Sequence, residues 1–139
     1  MFKFHGRRPD NLGVRGGRLA GCAGRSNCVC SQEEAEVTGE LGPRHVRPFT
    51  FTGNPWDAMT RLVAVLLAQP RARIVSQSRD YVHAEFESAF FGFVDDVEFL
   101  LDPAAQLIHV RSASRLGLSD FGVNRARVED LRVAFDEAE

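Results

Sequence analysis

Residues 93–127 read FVDDVEFLLDPAAQLIHVRSASRLGLSDFGVNRAR, and this stretch decides the predicted fold. Apolar and polar side chains alternate along residues 94–101 and again along residues 107–112, which is typical of β-strands with one buried face. Asp102-Pro103 lies between the two segments and favours a turn. Because the connection is short, the two strands are predicted to be antiparallel neighbours.

Two further strands are predicted before this stretch, over residues 71–77 and 80–88. Ser78-Arg79-Asp80 is the predicted turn between them, and Phe90-Phe91-Gly92 leads into the third strand. The four segments together predict a four-stranded antiparallel sheet.

Helices are predicted on both sides of the strand region. Asn54 is a suitable N-cap, Pro55 suits the first helical position, and Gln69-Pro70 ends the first helix. A last helix is predicted from residue 123 to about residue 138, because apolar residues recur there at helical spacing. The predicted fold class is therefore α+β, with both helices packed on one face of the sheet.

Alternation assigns the strand residues to two faces of the sheet. One face is apolar and is predicted to pack on the helices: Ile74, Val82, Ala84, Phe86, Val97, Phe99, Leu101, Ile108 and Val110. The other, called the polar face below, contains Arg73, His83, Glu85, Glu87, Asp96, Glu98, His109 and Arg111. Val75 and Leu100 are apolar residues that break the pattern of the polar face.

Residues 1–53 are rich in glycine, which argues against long helices or strands. They are predicted to form a long irregular arm that wraps around a core of residues 54–139. Apolar residues that recur along the arm are the expected points of attachment. The length of 139 residues suits a single domain.

The net charge of the chain is −2, so no chain-wide field favours nucleic acid or an anionic membrane. Lys3 is the single lysine among seventeen basic residues. Arginine suits pairing with carboxylate or phosphate, although a GC-rich genome gives the same bias. No signal peptide or membrane-spanning segment is visible in the sequence, so a cytoplasmic location is expected.

Four blocks of sequence carry a family resemblance: RPDNLGVRGGRLAGC, SNCVCSQ, FGFVDDVEFLLD and RSASRLGLSDFGVNRARVE. In this order they resemble the bacterial and plastid family called domain of unknown function 1499, over residues 8 to about 134. The resemblance implies no activity, cofactor or substrate. Two features depart from the family: Cys30 replaces the first serine of a CVSSQ-like string, and residues 23–25 replace prolines between the first two cysteines.

The first candidate site is the arginine loop, residues 111–127. A glycine-containing loop that runs into a helix start exposes N–H groups, and arginine forks beside them would hold a phosphate or carboxylate. The predicted ligand-binding residues are Arg111, Ser112, Ser114, Arg115, Asn124 and Arg125. In the competing interpretation Ser119, Asp120 or Asn124 caps the helix, and the arginines pair with Asp95, Asp96 and Glu129.

The second candidate site is on the polar face, where the predicted metal ligands are His83, Glu85, Asp96, Glu98 and His109. Side chains on paired strands lie about 4.8 Å apart, so these groups can converge on Fe, Mn or Zn, or act as acid and base. No H-E-x-x-H spacing is present. The competing interpretation is a solvated sheet face with ion pairs to Arg73 and Arg111.

Cys22 and Cys28 are the third candidate, as a thiol redox module. They could form a disulfide in an oxidising compartment, whereas thiols in the cytosol are expected to stay reduced. No CxxC spacing is present, and three thiols including Cys30 make a poor zinc site.

Phe90, Phe91 and Phe93 are interpreted as core aromatics. Exposed aromatics at these positions would instead indicate a surface for a partner or an apolar ligand.

Together these features predict a non-enzymatic binding or accessory domain that holds a small anionic ligand or a protein partner at the arginine loop. Arg111, Arg115 and Arg125 would grip the anion, while Ser112 and Ser114 would donate hydrogen bonds. The alternative is a metal-dependent enzyme that uses the polar face, and a thiol redox module is the third hypothesis.

Overall fold

A computed structural model describes the protein over residues 3–33, 39, 41–117 and 120–138. The chain begins with four short strands, which are followed by a helix, four longer strands and a second helix. The elements are β1 (Val14–Arg15), β2 (Arg18–Leu19), β3 (Cys28–Cys30), β4 (Phe49–Thr50), α1 (Pro55–Leu67), β5 (Ala72–Gln77), β6 (Tyr81–Glu87), β7 (Val94–Asp102), β8 (Leu107–Ser114) and α2 (Val123–Glu137).

The main sheet has six strands within the described residues, in the order β3-β8-β7-β6-β5, with β4 also paired to β8. All of these pairings are antiparallel. The prediction of an α+β fold with two helices is confirmed, but the prediction of four strands is wrong. β3 and β4 have three and two residues, too few to show alternation in the sequence. They pair with the edge of β8 that a four-stranded sheet would leave open.

The strand register places the polar residues on one face of the sheet. Glu85 lies opposite Asp96, and Glu98 lies between His83 and Arg111 on the two neighbouring strands. Residues directly opposite each other in paired strands share a face. The polar face predicted by alternation is therefore present, and it spans β6, β7 and β8.

Two local features explain the residues that broke the alternation. The register of β5 against β6 shifts between Ile74 and Ser76, so Val75 is the extra residue of a β-bulge. Leu100 faces the polar side but is buried, because β2 lies against β7 and β8 on that side.

The two helices cover the apolar face and form the main core with it. Phe49 lies between Phe99 and Phe135, with ring centroids 5.7 and 5.5 Å away. Such aromatic contacts add to the burial of apolar area. The helices contribute Ala58, Met59, Leu62, Val65, Leu66, Val128, Leu131 and Phe135 to this core.

The arm is not irregular throughout, which corrects the expectation for residues 1–53. β1 and β2 form an antiparallel hairpin, whose turn uses Gly16 and Gly17 with positive φ angles of 60 and 74°. After the hairpin, a disulfide joins Cys22 to Cys28, and Cys28 is the first residue of β3 in the main sheet. The arm therefore adds a layer on the side of the sheet opposite the helices.

Neither helix of the described residues has the length and the apolar character that a membrane crossing requires.

Replacing the N-cap of α1 should destabilise the fold. Asn54 Oδ1 accepts hydrogen bonds from the backbone N–H groups of Trp56 at 2.8 Å and Asp57 at 3.2 Å. We expect Asn54→Ala to lower the free energy of unfolding by about 1 kcal/mol, measured by urea denaturation. Asn54→Asp keeps the acceptor and should retain stability; equal losses in both variants would contradict this role of the side chain.

Candidate functional site

The polar face is buried beneath the arm. Asp96 is 1% exposed, Glu98 is 0% exposed and Arg111 is 2% exposed. The competing interpretation is therefore right about the ion pairs, because Arg73 pairs with Glu85 and Arg111 with Glu98, but most of this face is not solvated. Buried charges are tolerated only when they are paired and hydrogen-bonded, so each of these groups needs partners within the sheet or the arm.

Arg115 bridges two of the buried carboxylates. Its Nε donates to Asp96 Oδ2 at 2.8 Å, and its Nη2 donates to Asp96 Oδ1 at 2.9 Å. The same Nη2 also donates to Glu85 Oε2. A planar guanidinium matches a carboxylate in this two-pronged manner, and here it joins β6, β7 and the end of β8.

Glu85 receives two more arginines, one from the arm and one from β5. Arg8 donates from Nε and Nη2 to Glu85 Oε2 at 2.9 and 2.7 Å, and Arg73 Nη2 donates to Oε1 at 2.6 Å. Three guanidinium groups therefore converge on this one carboxylate. The contact of Arg8 also fixes the first part of the arm to the sheet.

Glu98 is the second point at which the arm is attached. Its Oε1 accepts from the backbone N–H of Gly13 at 2.7 Å and from the hydroxyl of Tyr81 at 2.6 Å. Arg111 Nη1 donates to Oε2 at 3.3 Å. Burial and the neighbouring Glu98 carboxylate raise the pKa of Tyr81 above its ordinary value of 10, so this hydroxyl stays protonated and acts as a donor.

Hydrogen bonds from cations keep Glu85 and Asp96 ionised. Burial alone would raise the pKa of Glu85, but Arg73, Arg8 and Arg115 outweigh it and lower that pKa to about 2. For Asp96, burial is likewise outweighed by hydrogen bonds from Arg115 and His83, which lower its pKa. Bonding to the charged form is the physical cause in both cases.

Three of the five predicted metal ligands lie together. His83, Glu85 and Asp96 each offer an atom within 4.8 Å of the others, and His83 Nε2 is 2.7 Å from Asp96 Oδ1. Glu98 bonds elsewhere, as described above, and His109 Nδ1 is 3.1 Å from the hydroxyl of Ser31. The guanidinium of Arg115 already supplies a cation to both carboxylates of the three-residue group.

A cavity of about 500 Å³ opens at one end of the polar face. Four arginine side chains line it, together with two carboxylates and one histidine. The lining residues are His5, Gly6, Arg8, Arg71, Ala72, Arg73, Glu85, Glu87, Val94 and Arg115. Positive charge therefore exceeds negative charge around this cavity, although the chain as a whole is slightly acidic.

Arg71 is one of the lining residues that the sequence interpretation missed, together with His5 and Arg8. Its backbone has a positive φ of 58°, which is uncommon for a residue with a side chain. Its Nε donates to the backbone carbonyl of Glu87 at 3.3 Å, and no carboxylate among the described residues pairs with its guanidinium. Strand parity could not place Arg71, because β5 begins at Ala72 and the left-handed backbone at Arg71 breaks the alternation.

The arginine loop does not form one site, because β8 continues to Ser114. Arg111 and Arg115 face the polar side, whereas Ser112 and Ser114 face α2. There Ser112 Oγ donates to Asn124 Oδ1 at 2.6 Å, and Asn124 Nδ2 donates to Ser114 Oγ at 2.9 Å. The predicted anion-binding residues are thus divided between two faces of the sheet.

The remaining parts of the arginine loop are engaged as well. Arg125 Nη2 donates to the backbone carbonyls of Pro43 and, at 2.9 Å, His45. The carboxylate of Asp120 accepts from the N–H groups of Gly122 at 2.9 Å and Asn124 at 3.2 Å. An internal carboxylate therefore occupies the N-terminus of α2, as the competing interpretation expected of Asp120. Ser119 lies outside the described residues.

A comparison of the sequence with protein families gives a match. The family model described as Protein of unknown function (DUF1499) matches residues 18–135, which is most of the chain. The chain belongs to this family. No curated protein matches it.

The DUF1499 match includes most of the arginine-lined cavity. Arg71, Arg73, Glu85 and Arg115 lie within residues 18–135. His5 and Arg8 precede the matched range. The first residues of the arm therefore contribute to the cavity from outside that range.

The two cysteines of the predicted redox pair are bonded to each other in this DUF1499 chain. Cys22 and Cys28 are buried, and their Cα atoms lie 5.5 Å apart. Cys30 is a free thiol that is fully buried, and burial raises its pKa. A thiol of this kind is a poor nucleophile. The disulfide between Cys22 and Cys28 links the arm to the start of β3. A redox function stays a prediction.

The phenylalanines between β6 and β7 are exposed rather than packed in the core. Phe90 is 73% exposed, and Phe91 and Phe93 also lie on the surface. Trp56, at the start of α1, is a separate aromatic residue that stacks under Arg79, whose Cζ is 3.7 Å from the ring centroid. The interpretation of the three phenylalanines as core residues is therefore wrong.

The lowered pKa values give a testable dependence of stability on pH. The unfolded chain takes up the protons of Glu85 and Asp96 at higher pH than the folded chain does, so their contribution is complete above the ordinary Glu pKa of 4.5. We expect the free energy of unfolding to fall as pH is lowered from 4.5 towards about 2, measured by urea denaturation at each pH.

Glu85→Gln should weaken this pH dependence, because glutamine has no carboxylate that can be protonated. Glu137→Gln is a matched control, since Glu137 is exposed at the end of α2. Identical pH profiles for Glu85→Gln and the native chain would show that Glu85 does not stabilise the fold through its ionised form.

Proposed function

We propose that this protein is a non-enzymatic binding domain that holds an anionic group in the arginine-lined cavity. The observation that carries the proposal is the convergence of Arg8, Arg71, Arg73 and Arg115 on one open cavity. The proposed site keeps Arg115 from the arginine loop and replaces the other predicted ligand-binding residues. The ligand class is a phosphate, a sulfate or a carboxylate, which guanidinium groups bind through paired hydrogen bonds.

Glu85 supports binding by holding three of the arginines in place. Without that carboxylate, the guanidinium groups would repel one another and would have to be ordered when the anion arrives. Groups that are already ordered lose less entropy on binding. Arg71 is the cavity arginine that pairs with no carboxylate of the described residues: its bond is from Nε to the backbone carbonyl of Glu87, which leaves its terminal amino groups for an anion.

The state of the carboxylates supports binding rather than acid–base catalysis. A general acid or base works best with a pKa near the working pH. Arginine contacts move the pKa of Glu85 to about 2 and lower that of Asp96. Both carboxylates therefore stay ionised near neutral pH and pair with guanidinium groups, so neither is suited to exchange a proton with a substrate.

Inorganic phosphate should stabilise the protein specifically. At constant ionic strength, a ligand at about one hundred times its Kd stabilises the folded state by about 2.7 kcal/mol. We expect phosphate and sulfate to raise Tm in a concentration-dependent manner, whereas chloride should not. Arg71→Ala should weaken phosphate binding about tenfold, because a charge-assisted pair is lost.

Arg47→Ala is the matched control, since Arg47 is exposed and lies outside the cavity. It should keep the full response to phosphate. The proposal is wrong if no anion raises Tm beyond chloride, or if Arg71→Ala and Arg47→Ala respond alike.

A metal-dependent enzyme remains the second candidate, because the ligand atoms of His83, Glu85 and Asp96 lie within 4.8 Å of one another. These groups suit Fe, Mn or Zn. Against this candidate stands Arg115, which bonds to both oxygens of Asp96 and would have to move before a cation could bind.

The metal hypothesis predicts stoichiometric Fe, Mn or Zn in the purified protein by elemental analysis. It also predicts that the matching ion raises Tm and that His83→Ala removes the increase. His109→Ala is the control, because His109 lies outside the three-residue group. A folded protein that contains no metal and does not respond to added Fe²⁺, Mn²⁺ or Zn²⁺ would exclude this candidate.

A further inference from the structure

A continuous apolar surface lies next to the arginine-lined cavity; we call it the aromatic end. The ring of Phe93 lies 5.5 Å from that of Phe4 and 5.9 Å from that of Phe91. On its other side, Phe93 lines a depression of about 330 Å³ together with Leu116 and Phe121. The aromatic end is defined here as Phe4, Phe91, Phe93, Leu116 and Phe121, together with Phe90, which precedes Phe91 in the chain and is exposed.

These side chains project from the protein instead of lining a closed pocket. Phe121 is 95% exposed, Phe90 is 73% exposed and Phe91 is 57% exposed. Phe121 also has a positive φ of 53°, which is a strained conformation for a bulky residue. Exposed apolar surface of this kind and a strained backbone are both features of interaction sites.

On the side of the cavity, positive charge is in excess beside the aromatic end, because four arginines lie there with two carboxylates. Lys3 lies against Gly92, where an added side-chain carbon would be 2.7 Å from Lys3 Cδ and 3.0 Å from Glu87 Oε1. Gly6 packs against both Arg115 and Leu116, so the cavity and the aromatic end share a border. The other flank has no positive excess, because Asp95, Asp120 and Arg127 line the depression there and Arg127 pairs with Asp95 at 2.7 Å.

We propose that the aromatic end docks on the surface of an anionic lipid bilayer, with the phenylalanines in the interface and the exposed arginines of the cavity, Arg71 and Arg73, at lipid phosphates. The inference rests on the proposed function for the anion, which here belongs to a lipid. Stable attachment to a bilayer generally needs two signals, such as an apolar insertion and a basic patch. Both signals meet at this end of the molecule.

A bilayer fits this surface better than a protein partner does. Projecting side chains need matching pockets on a protein, whereas lipid chains adapt to any shape. Basic side chains flank the phenylalanines on the side of the cavity, which places positive charge where lipid headgroups would lie. The low net charge of the chain does not oppose this, because screening limits the field of distant charges to about 10 Å.

Co-sedimentation with vesicles tests the proposal on the full chain. We expect binding to vesicles of phosphatidylcholine mixed with phosphatidylserine, weaker binding at high salt, and little binding to phosphatidylcholine alone. Phe90→Ser and Phe121→Asn should each weaken binding about tenfold. Asparagine is chosen at Phe121 because it tolerates the left-handed backbone. Val133→Ser is the control, since Val133 is an exposed apolar residue of α2 outside the aromatic end.

The outcomes separate the docking proposal from the anion site. Loss of vesicle binding in the two phenylalanine variants, with an unchanged Tm response to phosphate, supports docking. Docking is overturned if mixed vesicles are not bound, or if Phe90→Ser and Phe121→Asn bind like Val133→Ser. A phosphate response without vesicle binding overturns docking alone. A dimer in sedimentation velocity that Phe90→Ser dissociates also overturns it, and assigns the surface to a second copy of the chain.

Discussion

The guanidinium of Arg115 is the contact on which the buried polar face depends. Glu85 and Asp96 lie opposite each other on adjacent strands, so the two carboxylates, both largely buried, would repel if they had no cation between them. Arg115 bonds to both of them. Removing one partner from a buried pair of this kind typically costs about 3–5 kcal/mol, because an uncompensated charge is left behind. The sheet can therefore bury acidic residues that sequence patterns would place at a solvated surface.

The arm and these charges stabilise each other. Arg8 and the backbone N–H of Gly13 attach the arm to Glu85 and Glu98, while the arm shields Glu98 from water and covers most of Glu85. Exclusion of water strengthens every ion pair beneath it. The disulfide restricts the chain before β3, which reduces the entropy lost when the arm settles. The first part of the arm is thus attached through polar contacts, whereas Val46, Phe49 and Phe51 near its end join the main apolar core.

Side-chain parity could be predicted from the sequence, whereas burial could not. A period of two assigns every residue of β6, β7 and β8 to a face, and the contact of His83 with Asp96 follows from it. The pairing of β3 and β4 with β8 involves too few residues to leave a pattern. The arginine loop was misinterpreted for a related reason: β8 extends to Ser114, so alternation continues and separates Ser112 and Ser114 from Arg111 and Arg115. The cap by Asp120 needed only local sequence, and it was among the expected alternatives.

Net charge hides the most informative electrostatic feature of this chain. A value of −2 is a sum over all surfaces, while the field at a binding site depends on groups within about one screening length. Around the cavity, Glu85 orders the arginines and at the same time cancels part of their charge. A single small anion therefore engages mainly the donors that Glu85 leaves free, such as those of Arg71. A surface that presents many anions above an apolar interior can engage Lys3, Arg71 and Arg73 together and bury the exposed phenylalanines as well. This difference in the number of simultaneous contacts favours an extended anionic surface over a free ion as the natural ligand of this end of the protein.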